Sequence, residues 1–262
     1  MNRLELIKKL NKMLLDEMPM YQSQANTFPN DIHSQRNLLR SLMNIRPAMP
    51  LNPEFIILQN ELLSAEVADK GIVDIRTLPT TSDERIVLWQ GDITRLNADA
   101  IVNAANSQML GCFVPLHRCI DNAIHSAAGL QLRNECNQIM TAQGHAEKTG
   151  SAKITNGYNL PCKHVIHTVG PIVSHGLNHR LELQLASCYR SCMELADKHK
   201  LESIAFCCIS TGEFHFPNHK AAEIATNTVT EMLDKCTSVK KVIFNVFKDK
   251  DFEIYKKLLI KY

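Results

Sequence analysis

The sequence predicts an α/β protein: a three-layer α/β/α domain with a mixed, mostly parallel central sheet, preceded by an N-terminal helical extension. From Arg85 onward, short apolar runs of strand length alternate with longer segments of helical period. That alternation is the signature of a parallel sheet with helices on both faces. Before it, the first 70 residues carry apolar side chains at three- and four-residue steps, the period of helices packed on one face. The polar stretch TLPTTSDE at 77–84 separates the two textures. The expected organisation is an extension over 1–76, packed on the core, and a main domain over 77–262.

In chain order, Leu4, Ile7, Leu10, Leu14 and Met18 make one apolar stripe with lysines opposite. A second helix is expected from Asp31 to Arg46, capped by Asn30 and ended before Pro47. A third begins at Pro53, a residue suited to a first turn, and runs to Ala68. IVDI at 72–75 reads as a short strand. Further strands are expected at Ile86–Gln90, Ala100–Val102, Ala152–Asn156, His164–Thr168, Ser203–Cys208 and Lys241–Val246, and helices at Pro115–Ala127, Leu130–Gln143, Leu181–His199, His219–Lys235 and Asp249–Lys261.

Composition narrows the function classes. With 45% apolar and 21% charged residues the chain reads as an ordinary globular protein. A formal net charge of +2 gives no electrostatic case for nucleic acid or a membrane surface, and no nucleic-acid motif is present. No apolar run reaches the length of a membrane span, and the N-terminal stripe is interrupted by charge, unlike a signal peptide. Nine cysteines, odd in number and without a framework spacing, predict a reducing, cytoplasmic setting.

The stretch with most chemistry is Asn103–His125, NAANSQMLGCFVPLHRCIDNAIH, which follows a buried-type strand and opens a helix. Such strand-to-helix turns leave backbone N–H groups unpaired for ligands. Cys112, His117 and Cys119 can converge if Pro115 folds the loop back. Three nitrogen and sulfur ligands suit zinc and leave a fourth position open. Equally open on the residues alone is that the thiols are small hydrophobes and the imidazole a solvated loop residue.

QGDITRLNADAIVNAAN at 90–106 closely resembles the opening of a macrodomain, the family module that binds ADP-ribose. The resemblance continues in family order through DNAIHSAAG (121–129), GSAKITNGYNLPCKHVIHTVGP (150–171), ISTGEFHFP (209–217) and VIFNVFKDKDFEIYKKLL (242–259), covering nearly all of residues 85–262. In macrodomains of the MacroD type the loop after NAAN is a short glycine run; here it is GCFVPLHRC. That insertion, with the helical extension, resembles the microbial zinc-dependent macrodomains that accompany a sirtuin-type ADP-ribosyltransferase.

The resemblance implies roles residue by residue. Asp92 accepts a hydrogen bond from the adenine amino group and Ile93 contributes backbone beside it; without the motif, an Asp before Ile-Thr reads as a turn or cap. Asn106 and Asn103 match the family's distal-ribose asparagines, Asn103 alternatively tying the loop to the sheet. Asp121 matches the aspartate that orients water or ribose, and its position also complements a helix dipole. Ser210, Thr211, Gly212, Glu213 and Phe214 form the phosphate-binding loop, with His215 where the family usually has glycine. Phe247 matches an aromatic near ribose and adenine, core packing being the alternative. His125, Gly150, His167 and the Val-Gly-Pro turn read as scaffold.

The implied activity is a zinc-dependent hydrolase that removes mono-ADP-ribose from protein side chains. It would use one Zn2+ on Cys112, His117 and Cys119, with Cys119 also against the ADP-ribose and Asp121, Asn106 and Asn103 as the catalytic group. A mono-ADP-ribosylated protein, such as a lipoylated carrier modified by a sirtuin-type transferase, would be its partner. Two alternatives stand beside it: an ADP-ribose reader with a structural zinc, and an interaction protein that docks through its helical N-terminus.

Overall fold

The computed structural model describes residues 1–260; Lys261, the expected end of the last helix, lies outside the described residues. The chain opens with α1 (Arg3–Glu17), a single turn α2 (Gln22–Ala25), α3 (Ile32–Ile45) and α4 (Pro53–Lys70). Asn2 caps α1 in a reciprocal box with Glu5. α3 is capped by Asp31 and not by Asn30, because the helix starts one residue later than expected and Asp31 Oδ1 accepts from Ser34 N at 2.9 Å. α4 runs two residues past Ala68 and stops where Gly71 adopts a positive φ of 76°. The stripes face one another: Leu10, Leu14, Leu39, Leu42, Phe55 and Leu62 are buried in a core of their own. Full burial of one such side chain stabilises by about 1.5–3 kcal/mol.

Six strands follow: β1 (Ile86–Gln90), β2 (Ala100–Ala105), β3 (Ala152–Asn156), β4 (His164–Val169), β5 (Ser203–Phe206) and β6 (Lys241–Val246). They form one sheet in the order β1-β6-β5-β2-β4-β3. β3 runs antiparallel to β4, and every other neighbouring pair is parallel. The continuous apolar runs of β2, β5 and β6 suit strands covered on both faces, and their residues are buried almost throughout. α5 (Ile120–Ala128) and α6 (Leu130–Gln143) form one helical layer, and α7 (His179–Lys198), α8 (Asn218–Leu233) and α9 (Asp249–Leu259) the other. The result is the expected three-layer α/β/α arrangement.

Several expected elements differ, and β2 continues three residues past Val102 to Ala105. IVDI is not a strand: only Val73 bridges, to Leu96, and a 3-10 turn takes Ile75–Thr77 because Asp74 accepts from Arg76 N. β5 ends at Phe206, two residues early, where Cys207 and Cys208 turn into a loop. The helix expected from Pro115 begins only at Ile120. Residues 115–119 instead stay in the loop, with Leu116 at φ 57°.

The extension is bound to the sheet domain by buried polar contacts. Gln59 Oε1 accepts from Leu130 N at 2.9 Å, taking up a donor that the first turn of α6 leaves free. Asn44 Nδ2 donates to Ser126 Oγ at 3.1 Å. Arg133, 3% exposed on α6, donates through Nη1 to the carbonyls of Met43 and Arg46 at the end of α3, and through Nε to Leu110 O at 2.7 Å. Burial depresses the guanidinium to about 10, yet it remains charged at neutral pH.

Arg133→Met would keep most of the apolar stem while orphaning three buried carbonyls. We expect a loss of about 3–5 kcal/mol in chemical denaturation; a change under 1 kcal/mol would show that water replaces the guanidinium.

Candidate active site and metal centre

β2 is an interior strand, so the loop after Ala105 emerges at the middle of the sheet's carboxyl edge. Its course is set locally. Asn106 Oδ1 accepts from Gln108 N, Met109 turns at φ 61°, and Gly111 takes φ 83° against the His125 ring. A Cβ on Gly111 would stand 2.9 Å from His125 Cγ, so the loop can lie this close only as glycine. The outer half is held by α3 and α5. Asn44 Oδ1 accepts from Leu116 N at 3.0 Å, Arg40 Nη2 donates to His117 O at 3.1 Å, and Asn122 Nδ2 donates to Val114 O at 3.0 Å. The loop then enters α5 with Cys119 as its cap, Sγ accepting from Asn122 N at 3.4 Å.

This path brings Cys112, His117 and Cys119 together, their ligand atoms all within 4.8 Å of one another and each residue half-buried. Cys112 Sγ stands 3.7 Å from His117 Nδ1. Two such atoms on one tetrahedral zinc are about 3.6 Å apart, given metal distances of ~2.3 and ~2.05 Å. The Cys112 and His117 pair therefore matches zinc spacing, and the chemistry of the donor set suits the ion. Burial pushes the Cys119 thiol up, so a cation is what would make it a thiolate.

Behind the loop lies a buried polar network. Asp121 Oδ1 accepts from Asn103 Nδ2 at 2.8 Å, and Oδ2 from Asn106 Nδ2 at 3.4 Å. Asn106 Nδ2 also donates to Gly111 O at 3.1 Å. Burial raises the Asp121 carboxyl to about 6, against the lowering pull of Asn103 and the Arg133 charge. Asn103 is fully buried, with Nδ2 also 3.1 Å from His167 Nδ1. A second His/Cys group, His125, Cys136 and His167, sits here. Both nitrogens of His167 are engaged, by Asn103 and by Thr155 Oγ1 at 2.9 Å, and burial pushes the Cys136 thiol to about 12. Scaffold accounts for that group better than a second metal does.

The remaining expected residues surround the cleft. Asp92 uses one oxygen as a turn acceptor, Oδ1 taking Thr94 N at 3.0 Å and Thr94 Oγ1 at 2.6 Å. Asp92 lines a cavity of about 170 Å³ between α3, α4 and α5, and its Oδ2 has Lys70 Nζ at 3.8 Å. Ile93 is buried, and its carbonyl accepts from Leu96 N at 3.2 Å. In the second loop Ser210 and His215 both hold positive φ, 65° and 57°. His215 thus adopts the left-handed conformation despite its side chain, at a cost of about 1 kcal/mol relative to glycine. Phe216 N→Ser210 O and His215 N→Gly212 O close the turn, leaving Thr211, Gly212, Glu213 and Phe214 at its tip. Phe247 is 76% exposed, so core packing does not explain it.

Sequence reasoning passed over the loop's supports: Arg40, Asn44, Asn122 and Arg133. The available signal was a polar residue within a buried helical stripe, Asn44 beside Met43 and Arg133 beside Leu132. It also gave Glu213 no role for its side chain, whose Oε1 lies 3.7 Å from His117 Nε2 across the cleft.

Comparison with known proteins gives a consistent result. The Macro domain family profile matches residues 102–225. A Treponema medium protein named protein-ADP-ribose hydrolase is 49% identical over 253 residues, 95% of this chain and 96% of that protein. A Fusarium oxysporum f. sp. cubense protein named probable bifunctional ADP-ribose hydrolase/ADP-ribosyltransferase is 41% identical over 97% of this chain, which spans 46% of it. The crystal structure of the Trypanosoma brucei macrodomain in complex with ADP-ribose superposes with a TM-score of 0.65 at 30% identity, covering 83% of this chain and 94% of that one.

Burial holds His167 down to about 3, so the folded chain refuses a proton that the unfolded chain accepts below about 6.5. The sign follows: the stability present above pH 6.5 is lost as pH falls toward 3, at about 1.4 kcal/mol per unit for this group. His167→Gln should lack this slope, so its deficit relative to wild type should shrink between pH 6 and 4 in urea denaturation. A pH-independent deficit would mean that His167 is protonated in the folded chain.

Proposed function

The chain belongs to the macrodomain family, and on that premise we propose that it is a zinc-dependent hydrolase that removes mono-ADP-ribose from modified protein side chains. The observation that carries this is the placing of three soft ligands beside Asp121, on the loop after β2. The hydrolase named in Treponema medium, similar over nearly the whole chain, supports the activity. The ADP-ribose complex of the Trypanosoma brucei relative supports the ligand.

In this reading Asp92 receives the adenine amino group on Oδ2, the oxygen not used in its own turn, with Ile93 backbone beside it. The tip of the second loop, Ser210 to Phe214, turns backbone N–H groups toward the pyrophosphate, and Phe247 lies over the adenosine half. Those contacts position the distal ribose against the first loop, so that binding energy far from the bond serves the reaction. Asn106 and Asn103 hold the two oxygens of Asp121. That carboxylate orients the attacking water and takes its proton as the bond from the anomeric carbon to the side chain breaks. Zinc on Cys112, His117 and Cys119, with Cys119 also against the ribose, supplies Lewis acidity toward an oxygen. Among the described residues the ligand group comprises three side chains, which favours an open catalytic position over a closed structural one.

The partner proposed is a mono-ADP-ribosylated protein, a lipoylated carrier modified by a sirtuin-type transferase being the resemblance's suggestion. The Fusarium relative, named for both activities, supports the pairing with a transferase. All nine thiols are free, which suits a reducing cytoplasm. Among the described residues no helix is long and apolar enough to cross a membrane.

Purified protein should hold one zinc per chain and release ADP-ribose from a mono-ADP-ribosylated carrier. Cys112→Ala, His117→Ala and Cys119→Ala should lose the metal and at least about 100-fold in turnover, with circular dichroism unchanged. Asp92→Ala should weaken ADP-ribose binding about tenfold by calorimetry. Tight binding without turnover in wild type would favour the reader with a structural zinc, and full activity without zinc would remove the metal from the reaction.

A further inference from the structure

We propose that Glu213 is the positioning partner of His117: its carboxylate accepts the Nε2–H of the metal-ligating imidazole and so ties the second loop to the metal centre. The inference rests on the zinc reading above and adds to it a residue from the opposite wall of the cleft. His117 presents its two nitrogens to different neighbours. Nδ1 faces Cys112 Sγ at 3.7 Å, which allots it to the metal, and Nε2 faces Glu213 Oε1 at 3.7 Å. A metal-bound imidazole that donates its other N–H to a carboxylate has its tautomer and ring plane set, and is a more basic ligand.

The contact crosses between two loops that are otherwise held separately. The first is anchored to α3 through Arg40 and Asn44. The second is anchored at its base by Phe216 N→Ser210 O and by Val173 N→Phe214 O. Glu213 stands at the tip with its side chain 70% exposed and with open space beside Gly212, so it can move. A gap of 3.7 Å is too long for a hydrogen bond. A divalent cation on Nδ1 makes Nε2–H a stronger donor and adds positive charge, which draws an exposed carboxylate inward by the ångström or so that is needed. Metal loading then biases the second loop toward the first. By linkage, whatever the loops enclose tightens the metal in equal measure.

The test is zinc affinity by competition with a chromophoric chelator, together with the absorption spectrum of the cobalt-substituted protein. It compares wild type with Glu213→Gln, Glu213→Asp and, as a control for net charge, Glu253→Gln on α9. Glu213→Gln should weaken zinc about tenfold, the lower end of the range for such partners because the site is exposed. Glu213→Asp should fall between, and Glu253→Gln should match wild type. The cobalt bands of Glu213→Gln should keep the intensity of the wild-type coordination number. Equal zinc affinity in wild type and Glu213→Gln overturns the proposal and leaves the metal centre standing. A changed coordination number overturns it too, by making Glu213 a ligand. Wild type that binds no zinc removes the metal centre itself, and is recognised without any variant.

Discussion

The site depends on one buried charge. Arg133 reaches from α6 to three carbonyls, Leu110 in the loop after β2 and Met43 and Arg46 at the end of α3, and the Phe113 ring lies 4.3 Å over its guanidinium. A cation taken out of water is tolerated only where donors and acceptors match, and here the match requires the helical extension. The extension is therefore part of the active-site scaffold. Without α3, Arg133 would lose two of its three acceptors, and the loop would also lose the Arg40 and Asn44 contacts that place His117.

The same logic extends inward. Asn122, fully buried, accepts from Arg40 Nη2 and Ser126 Oγ and donates to Val114 O, so one amide joins the extension, α5 and the loop. Beside it Asp121 is held by Asn103 and Asn106, and Asn103 by His167. Low polarisability around such a chain strengthens each bond and makes each missing one costly. Small shifts of the loop would thus be resisted.

Much of the fold could be read from periodicity. All six strands of the sheet lie close to where the sequence put them, most plainly β2, β5 and β6, where burial on both faces leaves little room for polar residues. α1, α3 and α4 followed from their stripes, with Pro53 in the first turn of α4; the caps at Asn2, Asp31 and Asn52 did not. What escaped was decided by local competition or by distant partners. α5 starts late because Asn44 captures Leu116 N and Arg40 captures His117 O, contacts from residues more than 70 positions away in sequence. IVDI lost to the Asp74 turn. His215 holds a conformation that residue type alone argues against. The Cys112, His117 and Cys119 trio was legible as a spacing, and its supports were not, since a buried Arg or Asn within a helical stripe names no partner.

The sheet order has a consequence for how the protein is made. β2, which carries the loop, pairs with β4 about 60 residues later and with β5 about 100 residues later, both of them long-range closures that slow assembly. A ribosome must release most of the chain before the strand has either neighbour. Cysteines 112 and 119 therefore spend synthesis as open thiols on an unpaired segment, and the binding geometry arrives near the end of folding. Whatever the loop is built to hold, its full set of supporting contacts comes with completion of the sheet rather than with emergence of the loop.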